Sequence, residues 1–146
     1  MKIRHITSGL QFPEGPIAMD DGSVLLVEIA RGTLSRVTPD GRIHVVSQMG
    51  GGPNGAAIGP DGAVYVCNNG GFEYTTEIDG CFRPIAQAHD YAGGRLERVD
   101  LATGRFERLF EQRKTKHLRR LRGPLAAAID GGPDAAVNVG LLQRIG

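Results

Sequence analysis

The chain has 146 residues, enough for one domain with a real core, and its charged residues, 23% of the total, leave a formal net charge of +1. That balance excludes a global pull toward nucleic acid or acidic membranes. No apolar run approaches the roughly 20 residues of a membrane helix. The two cysteines, Cys67 and Cys81, make no disulfide framework. The opening MKIRHITSGLQF has no apolar h-region. A soluble protein of the reducing cytoplasm, with neither nucleic acid nor membrane as partner, is therefore expected.

Glycine, at 22 residues, and proline, at 8, punctuate the chain far more often than a helical protein tolerates. Between them lie short apolar runs, the first being Ser23–Ile29. The segment Phe12–Glu28, FPEGPIAMDDGSVLLVE, reads as a strand, an Asp21-Gly22 turn and a second strand. Asp-Gly suits a tight hairpin in which both central residues take positive φ. From Gly32, GTLSRVTPDGRIHVVS continues with a third strand, a turn at Gly41 and a fourth strand.

The same order then repeats. Gly52–Asn68, GPNGAAIGPDGAVYVCN, aligns with Phe12–Glu28 without a gap, so that Pro13 meets Pro53, Gly15 meets Gly55, and Asp21-Gly22 meets Asp61-Gly62. Gly94–Phe110, GRLERVDLATGRFERLF, repeats the third and fourth strands, and Leu34, Arg36 and Val37 match Leu96, Arg98 and Val99. The alternation Leu96–Glu97–Arg98–Val99 predicts a strand with one wet face. Between Asn68 and Gly93 lies an insertion with no counterpart in the first unit, carrying Phe72, Tyr74, Phe82 and Tyr91. It predicts an extra hairpin about Asp79-Gly80 or a lid. Four strands in a period of ~40–45 residues is the signature of a β-propeller.

The run from Phe12 to Glu28, then PDGRIHVVS, then PNGAAIGPDGAVYVCNNGGFEY and YAGGRLERVDLATGRFERLF, resembles the SMP-30/gluconolactonase/LRE-like family (the regucalcin type) over about Leu10–Phe110. The pairing of Glu-Gly-Pro and Pro-Asn-Gly at equivalent repeat positions is its strongest element. The resemblance implies a six-bladed propeller with one divalent metal, Ca or Zn, in the central channel, hydrolysing sugar lactones and related esters. It implies that Glu14 is a metal ligand, with the remaining ligands, an Asn and an Asp, on later blades. Asn54 takes the equivalent turn of the second unit and is expected to face substrate. Asn68 and Asn69, at the mouth, are further substrate-binding candidates. No residue is assigned a catalytic role.

After Phe110 the character changes. Gln112–Arg122 holds six Lys or Arg residues and no acid, and Leu125 and Ala126 follow Arg122-Gly123-Pro124 where the family's third blade would start with an Asn and an Asp. The expected division is residues 1–110 as two four-stranded blades and 111–146 as a divergent tail. Truncation or a shifted reading frame explains the tail, and a divergent third blade competes with it. Six blades need roughly 270 residues. The fold class is thus all-β, an incomplete six-bladed propeller with a degenerate C-terminal tail.

As a function, the resemblance implies a metal-dependent lactonase by descent, inactive or impaired in this chain, its metal binding weak or absent. The alternative is a non-enzymatic module that completes a propeller with another chain, since open edges invite self-association. Blander readings stand beside each residue. A solvated turn carboxylate explains Glu14, a tolerated left-handed turn explains Asn54, and a plain Asn-Gly loop explains Asn68 and Asn69. The basic run Lys114–Arg122 lacks interleaved aromatics and reads as a solvated segment.

Overall fold

The computed structural model describes residues 3–77 and 80–112. Within them β1 (Pro13–Ala18), β2 (Val24–Glu28), β3 (Thr33–Val37) and β4 (Ile43–Gln48) form one antiparallel sheet in chain order. A second sheet contains β5 (Pro53–Ile58), β6 (Val64–Asn68), β9 (Arg95–Val99) and β10 (Phe106–Glu111), in the order β10-β9-β6-β5. β7 (Phe72–Thr75) and β8 (Arg83–Gln87) pair only with each other, so the inserted segment forms an extra hairpin and leaves the four-strand unit intact around it. No helix is present among the described residues. The two sheets are propeller blades, and they do not close a ring among the described residues. The tail expected over 111–146 lies, beyond Gln112, outside the described residues, as does Asp79.

Turn chemistry sets the register, though not as the dipeptide alone suggests. In the first blade Gly22 donates its amide to the Met19 carbonyl at 2.9 Å, and Met19 N donates to Ser23 O at 2.9 Å. Only Gly22 has positive φ, +76°; Asp21 does not. The two-residue hairpin expected at Asp-Gly is therefore a longer loop, a right-handed turn closed by a left-handed glycine. The reason is that Asp21 is used otherwise: its Oδ1 accepts from the Ser23 amide at 3.0 Å and the Ser23 hydroxyl at 2.5 Å. The second blade repeats this at Gly59–Ala63, with Gly62 at φ +75° and Asp61 Oδ1 accepting from Ala63 N at 3.2 Å.

Each turn aspartate is also tied to the arginine of the third strand. Arg36 lies 3.7 Å from Asp21, and Arg98 lies 2.7 Å from Asp61. The repeat therefore extends from the order of strands to individual ion pairs.

The core is the space between the blades. Leu25, Val27 and Leu34 of the first blade meet Ala56, Val64, Val66 and Val99 of the second in one buried cluster closed by Met49. Burying such an aliphatic side chain contributes roughly 1.5–3 kcal/mol relative to leaving it exposed. The hairpin adds little to this, for all five residues of β8 are exposed. The wetter face expected for β9 is the one that bears Leu96 and Arg98, both half-buried. Glu97 and Val99 share one face and both are fully buried, because that face is turned toward the first blade and Glu97 is paired there. On the far side of the first blade, a groove of about 260 Å³ runs between the N-terminal segment and the sheet, lined by Ile6, Leu10, Val24, Leu26 and Val37 among others.

Candidate functional site

The inner strands β1 and β5 run side by side. Their closest approach is at glycines: a Cβ added to Gly15 would come 3.0 Å from the Ala56 nitrogen and 3.2 Å from the Gly55 Cα. Gly15 itself has φ +54°, a conformation that suits glycine and strains other residues. Glu14 and Asn54 immediately precede these two glycines. Sequence-equivalent residues are thereby brought to one place.

Both strands are irregular at that place. The pairing of β1 with β2 shifts between Glu14 and Ile17, and that of β5 with β6 shifts between Pro53 and Gly55. In each case the inner strand carries the extra residue. A bulge re-aims the side chains beside it and is enriched next to active sites. Glu14 is exposed and Asn54 half-buried. A carboxylate and a carboxamide thus stand at or beside a bulge on adjacent inner strands, though the bulges are not in the same register: Glu14 keeps its partner Val27 and the extra residue follows it, whereas Asn54 is itself the extra residue.

Two buried polar residues fix the lead-ins to these strands. Glu28, at the end of β2, is fully buried. Its Oε2 accepts from the Gln11 amide at 2.7 Å and from Arg31 Nε at 2.9 Å, and its Oε1 accepts from the Ser35 hydroxyl at 2.7 Å. Asn68, its counterpart at the end of β6, accepts at Oδ1 from Gly52 N at 2.9 Å and Gly70 N at 3.0 Å. Its Nδ2 donates to Gly50 O at 2.9 Å and to Glu97 Oε2 at 3.0 Å. An Asn amide has two donors and an oxygen with two lone pairs, so protein groups take up all of Asn68's capacity. Asn68 thereby ties the Gly50–Gly52 lead-in of β5 to β6 and β9. Asn69 is half-buried, with Oδ1 accepting from Gly71 N at 2.8 Å.

Each blade holds one fully buried carboxylate, on opposite members of the same strand pair. In the first blade it is Glu28 on the second strand, and in the second blade it is Glu97 on the third, where Ser35 stands in the first. Arg95, itself mostly buried, donates to Glu97 Oε1 at 2.6 Å, and its NH2 reaches Gly50 O at 3.1 Å. Burying a charge is tolerable only with such pairing. The sequence reading did not single out Glu28 or Glu97. The only signal is an acid closing the apolar run Val24–Val27, and an Arg-x-Glu spacing at Arg95 and Glu97 that aims both at one face.

The hairpin packs on the lead-in to β1. Tyr74 of β7 packs on Phe12 with ring centroids 5.9 Å apart, and Phe72 and Phe82 meet Tyr74 edge-on at 6.4 and 6.1 Å. Burial pushes the Tyr74 hydroxyl up to about 12. Phe12 is the one non-glycine with positive φ among the described residues, +57°. For a bulky residue that conformation costs about 1–3 kcal/mol and persists only where the surroundings impose it.

Metal donors are sparse. Among the described residues there is no group of three or more His, Cys, Asp or Glu side chains placed to hold an ion. Calcium takes about 6–8 oxygens and structural zinc about four ligands. Glu14 with Asn54 falls short of either set, so these residues alone do not make a complete metal centre.

Paired four-stranded antiparallel blades, each with a bulge in its inner strand, define a protein of the propeller class. The family model described as SMP-30/Gluconolactonase/LRE-like region matches residues 12–124, and the chain belongs to that family. No individually curated protein matches it.

Proposed function

We propose that this chain derives from metal-dependent hydrolases of sugar lactones, with the ligand site at the Glu14–Asn54 end of the inner strands. What supports this is that Glu14 and Asn54 precede the glycines at which the bulged strands β1 and β5 approach each other, in a chain of the gluconolactonase-like family. Lactone hydrolysis adds water to the ring carbonyl, breaks the ring C–O bond and yields a hydroxy acid. Glu14 offers one anionic oxygen and Asn54 one carboxamide at that end, while Glu28 and Asn68 hold the strands that carry them. The implied divalent ion, calcium or zinc, needs further ligands. We therefore assign the 146-residue chain weak ion binding and severely impaired turnover, and assign no residue to a metal-assisted step. The division at residue 110, an incomplete ring of the six-bladed type and a cytoplasmic location belong to the same proposal. Hydrolysis of glucono-δ-lactone that disappears with EDTA and with Glu14→Ala would overturn the assignment of impairment.

A second reading has its own support. Among the described residues β10 is the edge of its sheet, and Phe106, Leu109 and Phe110 on it are all exposed. An exposed apolar edge is a template for pairing with another chain. On this reading the protein is a non-enzymatic module that completes a propeller by association. Light scattering decides: a folded monomer at all concentrations counts against it, and a defined oligomer supports it.

A further inference from the structure

The β7–β8 hairpin is the one element that the first blade lacks, and it touches the lead-ins of both inner strands. On one side Tyr74 packs against Phe12, two residues before Glu14. On the other side its base is seated on the glycines before Asn54. Asn69 N donates to Gly52 O at 2.8 Å, and a Cβ added to Gly71 would come 3.0 Å from the Gly51 carbonyl carbon. Contact this close between backbones requires glycine on both sides and fixes the hairpin's base against the strand that carries Asn54.

What the hairpin brings there is aromatic. Phe72 and Tyr74 are two residues apart on β7 and so share a face, and Phe82 reaches Tyr74 from across the turn. Tyr74 is the half-buried centre of this group, whereas Phe72 keeps 38% of its surface exposed. Phe12 takes a left-handed backbone conformation where its ring meets Tyr74. Such an aromatic group offers stacking and edge contacts to a flat ring and few hydrogen bonds to a polyol.

We propose that the hairpin is a specificity wall, and that the Glu14–Asn54 end prefers lactones or esters carrying a flat apolar ring over small lactones that lack one. The proposal rests on reading that end as the ligand site, and it requires no turnover. Coumarin and 2-pyrone present the same unsaturated lactone ring with and without a fused arene, so they isolate the wall's contribution.

The experiment is a titration of the full chain with each compound, followed by backbone amide shifts, in the native protein and in Phe72→Ala and Tyr74→Phe. An aromatic contact of ordinary strength corresponds to roughly 2–12-fold in affinity. Coumarin is expected to bind about 10-fold more tightly than 2-pyrone, with shifts concentrated at residues 12–14, 52–54 and 72–74. Phe72→Ala should remove about 5-fold of coumarin affinity and leave 2-pyrone unchanged, while Tyr74→Phe, which keeps the ring, should preserve the preference. Equal affinities overturn the proposal. So do coumarin shifts centred on residues 106–110, or a Phe72→Ala effect equal for both compounds. Failure to hydrolyse lactones refutes an enzymatic reading and leaves this outcome standing, whereas turnover without coumarin preference refutes the wall alone.

Discussion

Glu28 and Asn68 close the second strands of the two blades and perform the same task with different chemistry. Each holds a backbone amide at the entry to its inner strand, Gln11 at 2.7 Å and Gly52 at 2.9 Å. The exchange of carboxylate for carboxamide is matched on the third strand, where Ser35 serves Glu28 and Glu97 serves Asn68. The positions of the strands that carry Glu14 and Asn54 therefore depend on buried groups behind them.

Removing a buried carboxylate should be expensive in both blades. Glu97→Ala strips Arg95, whose side chain is 7% exposed, of its buried partner, and a loss of about 3–5 kcal/mol is expected. Glu28→Ala leaves the Gln11 amide unpaired and the Ser35 hydroxyl with only Thr33 as its partner, and about 2–3 kcal/mol is expected, since Arg31 is a third exposed and can turn to water. Glu28→Gln keeps an acceptor and should lose less. Urea denaturation of the three variants checks the order.

Crowding at the inner strands separates from backbone strain by comparing two glycines. Gly15 and Gly62 both have positive φ, but a Cβ at Gly62 meets nothing within 4 Å. Gly62→Ala should cost about 1 kcal/mol, from its conformation alone. Gly15→Ala must also push Ala56 and Gly55 away and should cost about 2–3 kcal/mol. Equal midpoints in chemical denaturation would mean that β1 and β5 are not held together.

The turn aspartates give stability a defined pH dependence. The Ser23 hydroxyl holds Asp21 below the ordinary value of 3.8, the Arg98 guanidinium does the same for Asp61, and the Thr103 amide for Asp100. A carboxyl with a lower value folded than unfolded stabilises fully above the unfolded value, and that stabilisation fades as pH falls through the folded one. Melting temperature should thus decline once the pH drops below 3.8. Asp61→Asn should remove part of that decline, and high salt should weaken the Asp61 share more than the Asp21 share. A melting profile flat down to acid pH in the native chain would contradict this.

Ion binding should be weak and local. With Glu14 as the principal anionic ligand, calcium affinity is expected near ~1 mM or weaker, with amide shifts around residues 14 and 54 that vanish in Glu14→Ala. Calorimetric or NMR titration checks this. Micromolar binding that survives Glu14→Ala would place the ion elsewhere.

Much of the fold was legible because the repeat is written in turn residues. The gap-free match of Phe12–Glu28 with Gly52–Asn68 placed β1, β2, β5 and β6, and the Leu-x-Arg-Val pattern placed β3 and β9. The same match predicts that the turns at Gly15 and Gly55 converge, and the two backbones do meet there. The buried carboxylates were not. Alternation at Leu96–Val99 shows two faces but not which one a neighbouring sheet will cover, and Glu97 falls on the covered face. Nor does sequence show that Asp21 would bond Ser23, lengthen its loop and leave positive φ to Gly22 alone. Phe12's left-handed backbone likewise carries no local signal.

The most direct measurement is hydrolysis of glucono-δ-lactone by the full 146-residue chain, with added calcium or zinc, with EDTA, and in Glu14→Ala beside the native protein. A rate near the buffer background, indifferent to EDTA and to the substitution, is the predicted result. Metal-dependent turnover abolished by both EDTA and Glu14→Ala would contradict it, and would mean that Glu14 lies in a metal centre completed by ligands outside the described residues.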